Sequence, residues 1–178
     1  NFGYSSTGVA WDSWKWPGTP IYPVYGEWQH VAIVRKGDDL HSYLNGELVE
    51  SSPTGFNGDQ IFDLNHPIEI GRRDGSGTYY SGYLEDIRIA KYAVYTGSFS
   101  PPTQSLSACI TAPSEPDCDD VSLLIQSDTT VEADSIIDTS GNSHTITVVG
   151  DTHHDIGESK FGDSSLYFDG TGDYLEIA

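Results

Sequence analysis

Residues 28–49, "WQHVAIVRKGDDLHSYLNGELV", decide the fold. Val31, Ile33, Leu40, Tyr43 and Leu44 are apolar or strand-favouring, and the turn formers Lys36, Gly37, Asp38 and Asp39 lie between the two runs. The stretch therefore reads as a hairpin. A second turn follows at Asn45-Gly46, the strongest two-residue hairpin signal. Three short antiparallel strands in succession form a meander, and its apolar face needs a second layer to cover it.

Composition narrows the class. The chain has 178 residues, enough for one sandwich-sized domain or parts of two. Its 11 Tyr, 4 Trp and 19 Gly, with no long helical period, point to an all-β protein with many turns. Lys plus Arg number 8 against 27 Asp plus Glu, a net charge of −19. That charge repels phosphate backbones and anionic membrane surfaces, so neither nucleic acid nor a membrane surface is an expected partner. No stretch approaches the length of a membrane span, and no membrane insertion is expected. The acidity suits an extracellular or saline setting and cation binding. With Asn1 first, no Met and no signal peptide, the sequence reads as a processed chain or a piece of a longer one.

The two cysteines, Cys109 and Cys118, lie in "SACITAPSEPDCDD" with no Cys or His partner at zinc spacing. A local disulfide is the expected state, and it favours an oxidising compartment. So short a loop contributes only about 2.5–3 kcal/mol in the chain-entropy picture, enough to pin a linker. The chain divides there. Residues 1–105 carry a net charge of −5 and residues 106–178 a net charge of −14. The first part runs from the aromatic "AWDSWKWPGTPIYPVYGEW" through the meander to "PIEIG" and a long strand "YYSGYLEDIRIAK". The second runs from "VSLLIQ" through "DTSGNSHTITVVG" to "SSLYFDGTGDYLEIA".

These motifs carry a family resemblance. "EWQHVAIVRKGDDLHSYLNGELVESS" resembles the central hairpin of laminin-G-like, concanavalin A-like jelly-roll modules. "PIEIGRRDGSGTYYSGYLEDIRI" resembles the next two strands of such a module, and "AVYTGSFSPPTQSL" its exit. "VSLLIQSD", "DTSGNSHTITVVG" and "SKFGDSSLYFDGTGDYLEI" resemble its first strands. The implied fold is an all-β antiparallel β-sandwich of the jelly-roll, concanavalin A-like type. The order departs from the family, because the later half comes first and nothing matches its central "DFTIEFWV"-like strands. Residues 1–106 then form a C-terminal-type half, 107–119 a linker, and 120–178 an N-terminal-type half. Three arrangements follow: a window on a tandem array, a subunit completed by its neighbour, or a permuted sandwich. Half a sandwich leaves an apolar face and strand edges exposed, so something must cover them.

Two groups of residues are candidate sites. The acid–Gly turns supply Asp86, Asp138, Asn142, Asp169 and Asp173, oxygen donors of the kind calcium takes in sixes to eights. Modules of the resembled family often hold calcium at a sandwich rim, which makes calcium the expected ion. The competing reading takes the same residues as turn formers alone. Trp11, Trp14, Trp16, Tyr22 and Tyr25 could present a platform on which sugar rings stack, or fill the core. "TYYSGY" carries the same ambiguity. His153 and His154 are read as a solvated turn, since adjacent residues on a strand point to opposite faces and could not share one metal. Arg72 and Arg73 read as a turn flank. For the same reason of alternation, Glu85 and Asp86 cannot line one cleft as a glycosidase pair. No nucleophile elbow, phosphate loop or zinc-protease helix motif occurs. The expected function is a non-enzymatic adhesion module, secreted or on a cell or virion surface, binding glycan or protein and associating with neighbouring modules. The alternative is a self-assembling subunit of a fibre or shell.

Overall fold

The computed structural model describes residues 2–4, 7, 9, 13–15, 21–52, 56, 58, 60–62, 65–73, 77–106, 118–128 and 134–178. Their regular structure is almost wholly β, with antiparallel pairing throughout and one 3₁₀ turn at Cys118–Asp120. The chain divides into two compact units, residues 1–66 with 92–101 and residues 67–91 with 102–178.

The first unit contains the meander. Strands β1 (Phe2–Tyr4) and β2 (Ser13–Lys15) pair with each other, and β3 (Val31–Lys36), β4 (Asp39–Leu44) and β5 (Glu47–Ser52) form a three-stranded sheet. Both turns follow from local chemistry: Gly37 has a φ of 62°, and Asn45 and Gly46 have φ of 50° and 82°. Those left-handed angles suit Asn and Gly, as the Asn-Gly turn requires. Gly46 is needed for a second reason. Its carbonyl accepts the Phe99 N–H at 2.9 Å, and a Cβ there would come within 1.9 Å of the Phe99 carbonyl oxygen.

Strand β4 buries both faces. On one, Leu40 packs with the fully buried Phe56, whose ring lies 4.0 Å beneath the Arg35 guanidinium. On the other, Tyr43 meets the edges of Tyr95 and Phe99, which stack at 3.5 Å. Burial of each such side chain contributes about 1.5–3 kcal/mol.

The second unit joins strands from both sides of residues 107–119. Strand β6 (Ile68–Ile70) pairs with β15 (Tyr174–Ile177), which also pairs with β12 (Ile146–Val149). Strand β9 (Ser81–Leu84) pairs with β14 (Ser165–Asp169), flanked by β13 (His153–Asp155). Strand β10 (Ile87–Ala90) pairs with β11 (Val121–Ile125). Arg72–Arg73 (β7) and Thr78–Tyr79 (β8) close a short hairpin. One core gathers Leu123, Ile125, Ile136, Leu166, Phe168, Leu175 and Ile177, with Ile70, Leu84, Ile87 and Val148 packed against it. Within one chain, the early-sequence strands β6, β9 and β10 thus complete the late-sequence ones.

Two local expectations are corrected and a third is given its partners. The long strand read through "YYSGYLEDIRIAK" breaks at Glu85-Asp86, because Asp86 sits at φ 53° and turns the chain between β9 and β10. Arg72 and Arg73 do flank the turn, as paired strand residues, and Arg72 forms a bidentate ion pair with Glu69 beside the Tyr174 ring. His153 and His154 are strand rather than solvated turn. Their alternation holds, with His153 against Tyr167 and His154 buried at 6% exposure.

Candidate functional site

The antiparallel register Val149↔Tyr174 sets the turn after β12 beside the turn before β15. Asp151, Asp169 and Asp173 meet there, each offering a carboxylate oxygen within 4.8 Å of the others. Asp173 is fully buried, and its two oxygens accept the backbone N–H groups of Asp151 (2.9 Å) and Asp169 (2.8 Å). A Cβ on Gly150 would come within 2.1 Å of an Asp173 oxygen, so the glycine makes room for that carboxylate. The hydrogen bond and then the charge of Asp173 push the Asp151 carboxyl above its ordinary value. Three converging hard oxygen donors, one of them held proton-prone by its neighbours, fit a hard divalent cation such as calcium.

Of the candidate metal residues, only Asp169 and Asp173 come together. Asp138, buried at 9% exposure, spends both oxygens on the N–H groups of Leu124, Ser140 and His144 and on the Ser140 hydroxyl. It is a staple between β11 and the following loop. Asn142 donates its amide to the carbonyls of Val121 and Ser122. Asp86 accepts the Ser105 hydroxyl and the Leu106 N–H, while Glu85 accepts the N–H groups of Lys160 and Phe161. The adjacent carboxylates therefore serve two different loops. Burial, ahead of the opposing hydrogen bonds, raises both above their ordinary values. Asp151 was missed because "VVGDT" looks like an ordinary strand-ending turn. Only the pairing of β12 with β15, which are not consecutive strands, brings it beside "DGTGD".

Tyr22 and Tyr25 are exposed at 75% and 95%, which removes them from the core. Trp14 lies on β2, whereas Trp11, Trp16 and Cys109 fall outside the described residues, so neither the full aromatic group nor the disulfide with Cys118 is defined.

A buried polar cluster lies behind β13. The Nε2 of His154 donates to the Ser135 carbonyl at 3.3 Å, so in the neutral ring Nδ1 accepts the Ser127 hydroxyl at 2.6 Å. Ser164 completes the chain at 3.1 Å from Ser127. Burial pushes the imidazole below its ordinary value, against the pull of the Ser135 carbonyl. The unfolded chain therefore takes up this proton first. The stabilising contribution is intact above the unfolded value of about 6.5 and is lost as pH falls towards the depressed folded value. Melting temperature measured from pH 7.5 to 5 should fall, and His154→Gln should flatten that part of the curve. An unchanged slope in the variant would remove His154 from the pH response.

An all-β chain with antiparallel sheets, one continuous apolar core in its second unit and carboxylates gathered at strand-end turns has the make-up of a lectin-like β-sandwich module. A family model described as Laminin_G_3, concanavalin A-like lectin/glucanases superfamily, matches residues 1–96, and the chain belongs to that family. The resemblance read in residues 120–178 lies outside that match. No curated protein and no solved structure matches the chain. Among the described residues, no helix is long and apolar enough to cross a membrane.

Proposed function

We propose that this chain is a non-enzymatic extracellular recognition module that binds glycan or protein ligands, with a calcium ion held by Asp151, Asp169 and Asp173. The observation that carries the reading is the convergence of those three carboxylates within 4.8 Å around the buried, backbone-anchored Asp173. Calcium would neutralise the cluster, fix the two turns and offer open coordination positions to ligand oxygens. Millimolar calcium should raise the melting temperature relative to chelator. At 100 times Kd the stabilisation is about 2.7 kcal/mol. The Asp151→Asn/Asp169→Asn double variant should lose the response. A wild-type chain that melts identically with and without 10 mM calcium holds no such ion.

Self-assembly is a second reading, and one observation favours it. In β3, an outer strand of the β3–β4–β5 sheet, Val31 and Ile33 are exposed at 52% and 53% on one face. An apolar outer strand suits edge pairing with a second copy. Light scattering should then show concentration-dependent oligomers that Ile33→Lys disperses, and a monomer at all concentrations would set this reading aside.

A further inference from the structure

Strands β13, β14 and β9 place three rings in one line across the sheet, through the register His153↔Tyr167↔Tyr83. The Tyr167 and Tyr83 centroids are 5.2 Å apart and those of His153 and Tyr167 are 5.6 Å apart, with planes inclined by 44° and 57°. The intervening residues His154, Leu166, Phe168 and Leu84 point into the core side, so the row lies on the opposite face, with each of its rings half-buried. One ring is tied to the backbone. His153 Nδ1 donates to the Asp151 carbonyl at 2.5 Å. Carboxylates flank the row at both ends of β14: Asp155 pairs across from Ser165, and Asp169 across from Ser81.

We propose that this row is a saccharide-stacking platform for an uncharged, β-linked pyranose chain lying across the strands. The inference rests on the glycan half of the recognition reading and adds the surface and the ligand class. A pyranose with equatorial substituents presents a flat face of axial C–H bonds, slightly positive, which meets the negative face of an aromatic ring. The ring spacing is close to the length of one sugar along an extended chain, so successive sugars meet successive rings. Asp155 accepts hydroxyl hydrogens at one flank. Charge selects among glycans: residues 106–178 carry a net charge of −14, which repels a sulfated or uronic chain. The occupant is therefore neutral.

The test is isothermal titration of the full chain, in saturating calcium, with the neutral hexaoses of β-1,4- and β-1,3-linked glucose and β-1,4-linked N-acetylglucosamine, and with heparin. Saturable binding of at least one neutral hexaose and none of heparin is expected. Tyr167→Ala should weaken it roughly tenfold or more, whereas Tyr167→Phe, which keeps the ring, should stay within about threefold. Tyr83→Ala reports the same loss from the other end of the row if Tyr167→Ala does not fold. Wild-type affinity retained in both alanine variants would overturn the platform and leave glycan recognition standing on another surface. No binding of any neutral hexaose, or preferential binding of heparin, would overturn the platform too. Where no glycan binds at all, the recognition reading continues with protein ligands, tested separately by the calcium response of the carboxylate cluster.

Discussion

Replacing Phe168 with alanine should destabilise the second unit by about 3–5 kcal/mol, a large share of the 5–15 kcal/mol that holds a typical domain together. Phe168 has no exposed surface and sits among Leu123, Ile125, Leu166, Leu175 and Ile177. Tyr80 meets it edge-on at 5.8 Å. On another side the backbone itself comes close: a Cβ on Gly71 would lie 2.6 Å from the ring. Gly71, at φ 94°, adopts an angle that suits no other residue well. The cavity left by alanine is therefore walled by strands of separate sheets, whose ladders resist collapse. Urea unfolding followed by near-ultraviolet circular dichroism should show the lower midpoint, and Phe168→Leu should recover much of the loss. A change below about 1 kcal/mol would mean that the site repacks freely and that the ring is not central.

The second large effect is expected at Asp138. Burial acts to raise its carboxyl, yet hydrogen bonds from Leu124, His144 and Ser140 outweigh burial and hold it below the ordinary carboxylate value. Alanine would leave two or three buried N–H groups without a charged acceptor, at a cost of roughly 3–5 kcal/mol and a loss of about 10–20 °C in Tm. Asparagine should lose less, because one oxygen remains while its NH₂ opposes donors. The sign with pH is fixed by the depressed folded value. The stabilisation is present above the unfolded value of about 3.9 and is lost as pH falls through the folded one. Acid unfolding of Asp138→Ala should therefore show less dependence on pH below 4 than the wild type. This window is separate from that of His154, which acts below about 6.5. A wild-type-like Tm in Asp138→Ala would show that the carboxylate carries no structural weight.

Asp138 shows how far residue types carry an inference. An acidic residue in a Gly-containing turn is the raw material of both a calcium ligand and a backbone staple, and the two uses differ only in which partners reach its oxygens. At Asp138 the partners are N–H groups of its own loop and of β11. At Asp169 and Asp173 backbone N–H groups are partners too, but another carboxylate, Asp151, is brought alongside by the pairing of β12 with β15. Spacing along the chain does not distinguish these cases. Asp151 is 22 residues from Asp173, and only strand register closes that gap.

The β3–β4–β5 meander was determined by sequence alone, since its turns depend on a few bonds of local geometry and its strands on alternation every second residue. The all-β class and the family followed from the same local patterns. Tertiary structure alone decided that β6, β9 and β10 find their partners β15, β14 and β11 across the linker, and with them the carboxylate cluster, the buried His154–Ser127 pair and the aromatic row. A pattern of apolar residues says which face of a strand turns inward. Which strand lies beside it depends on closing loops of tens of residues around a shared core, and that choice is made by packing that no short stretch of sequence contains.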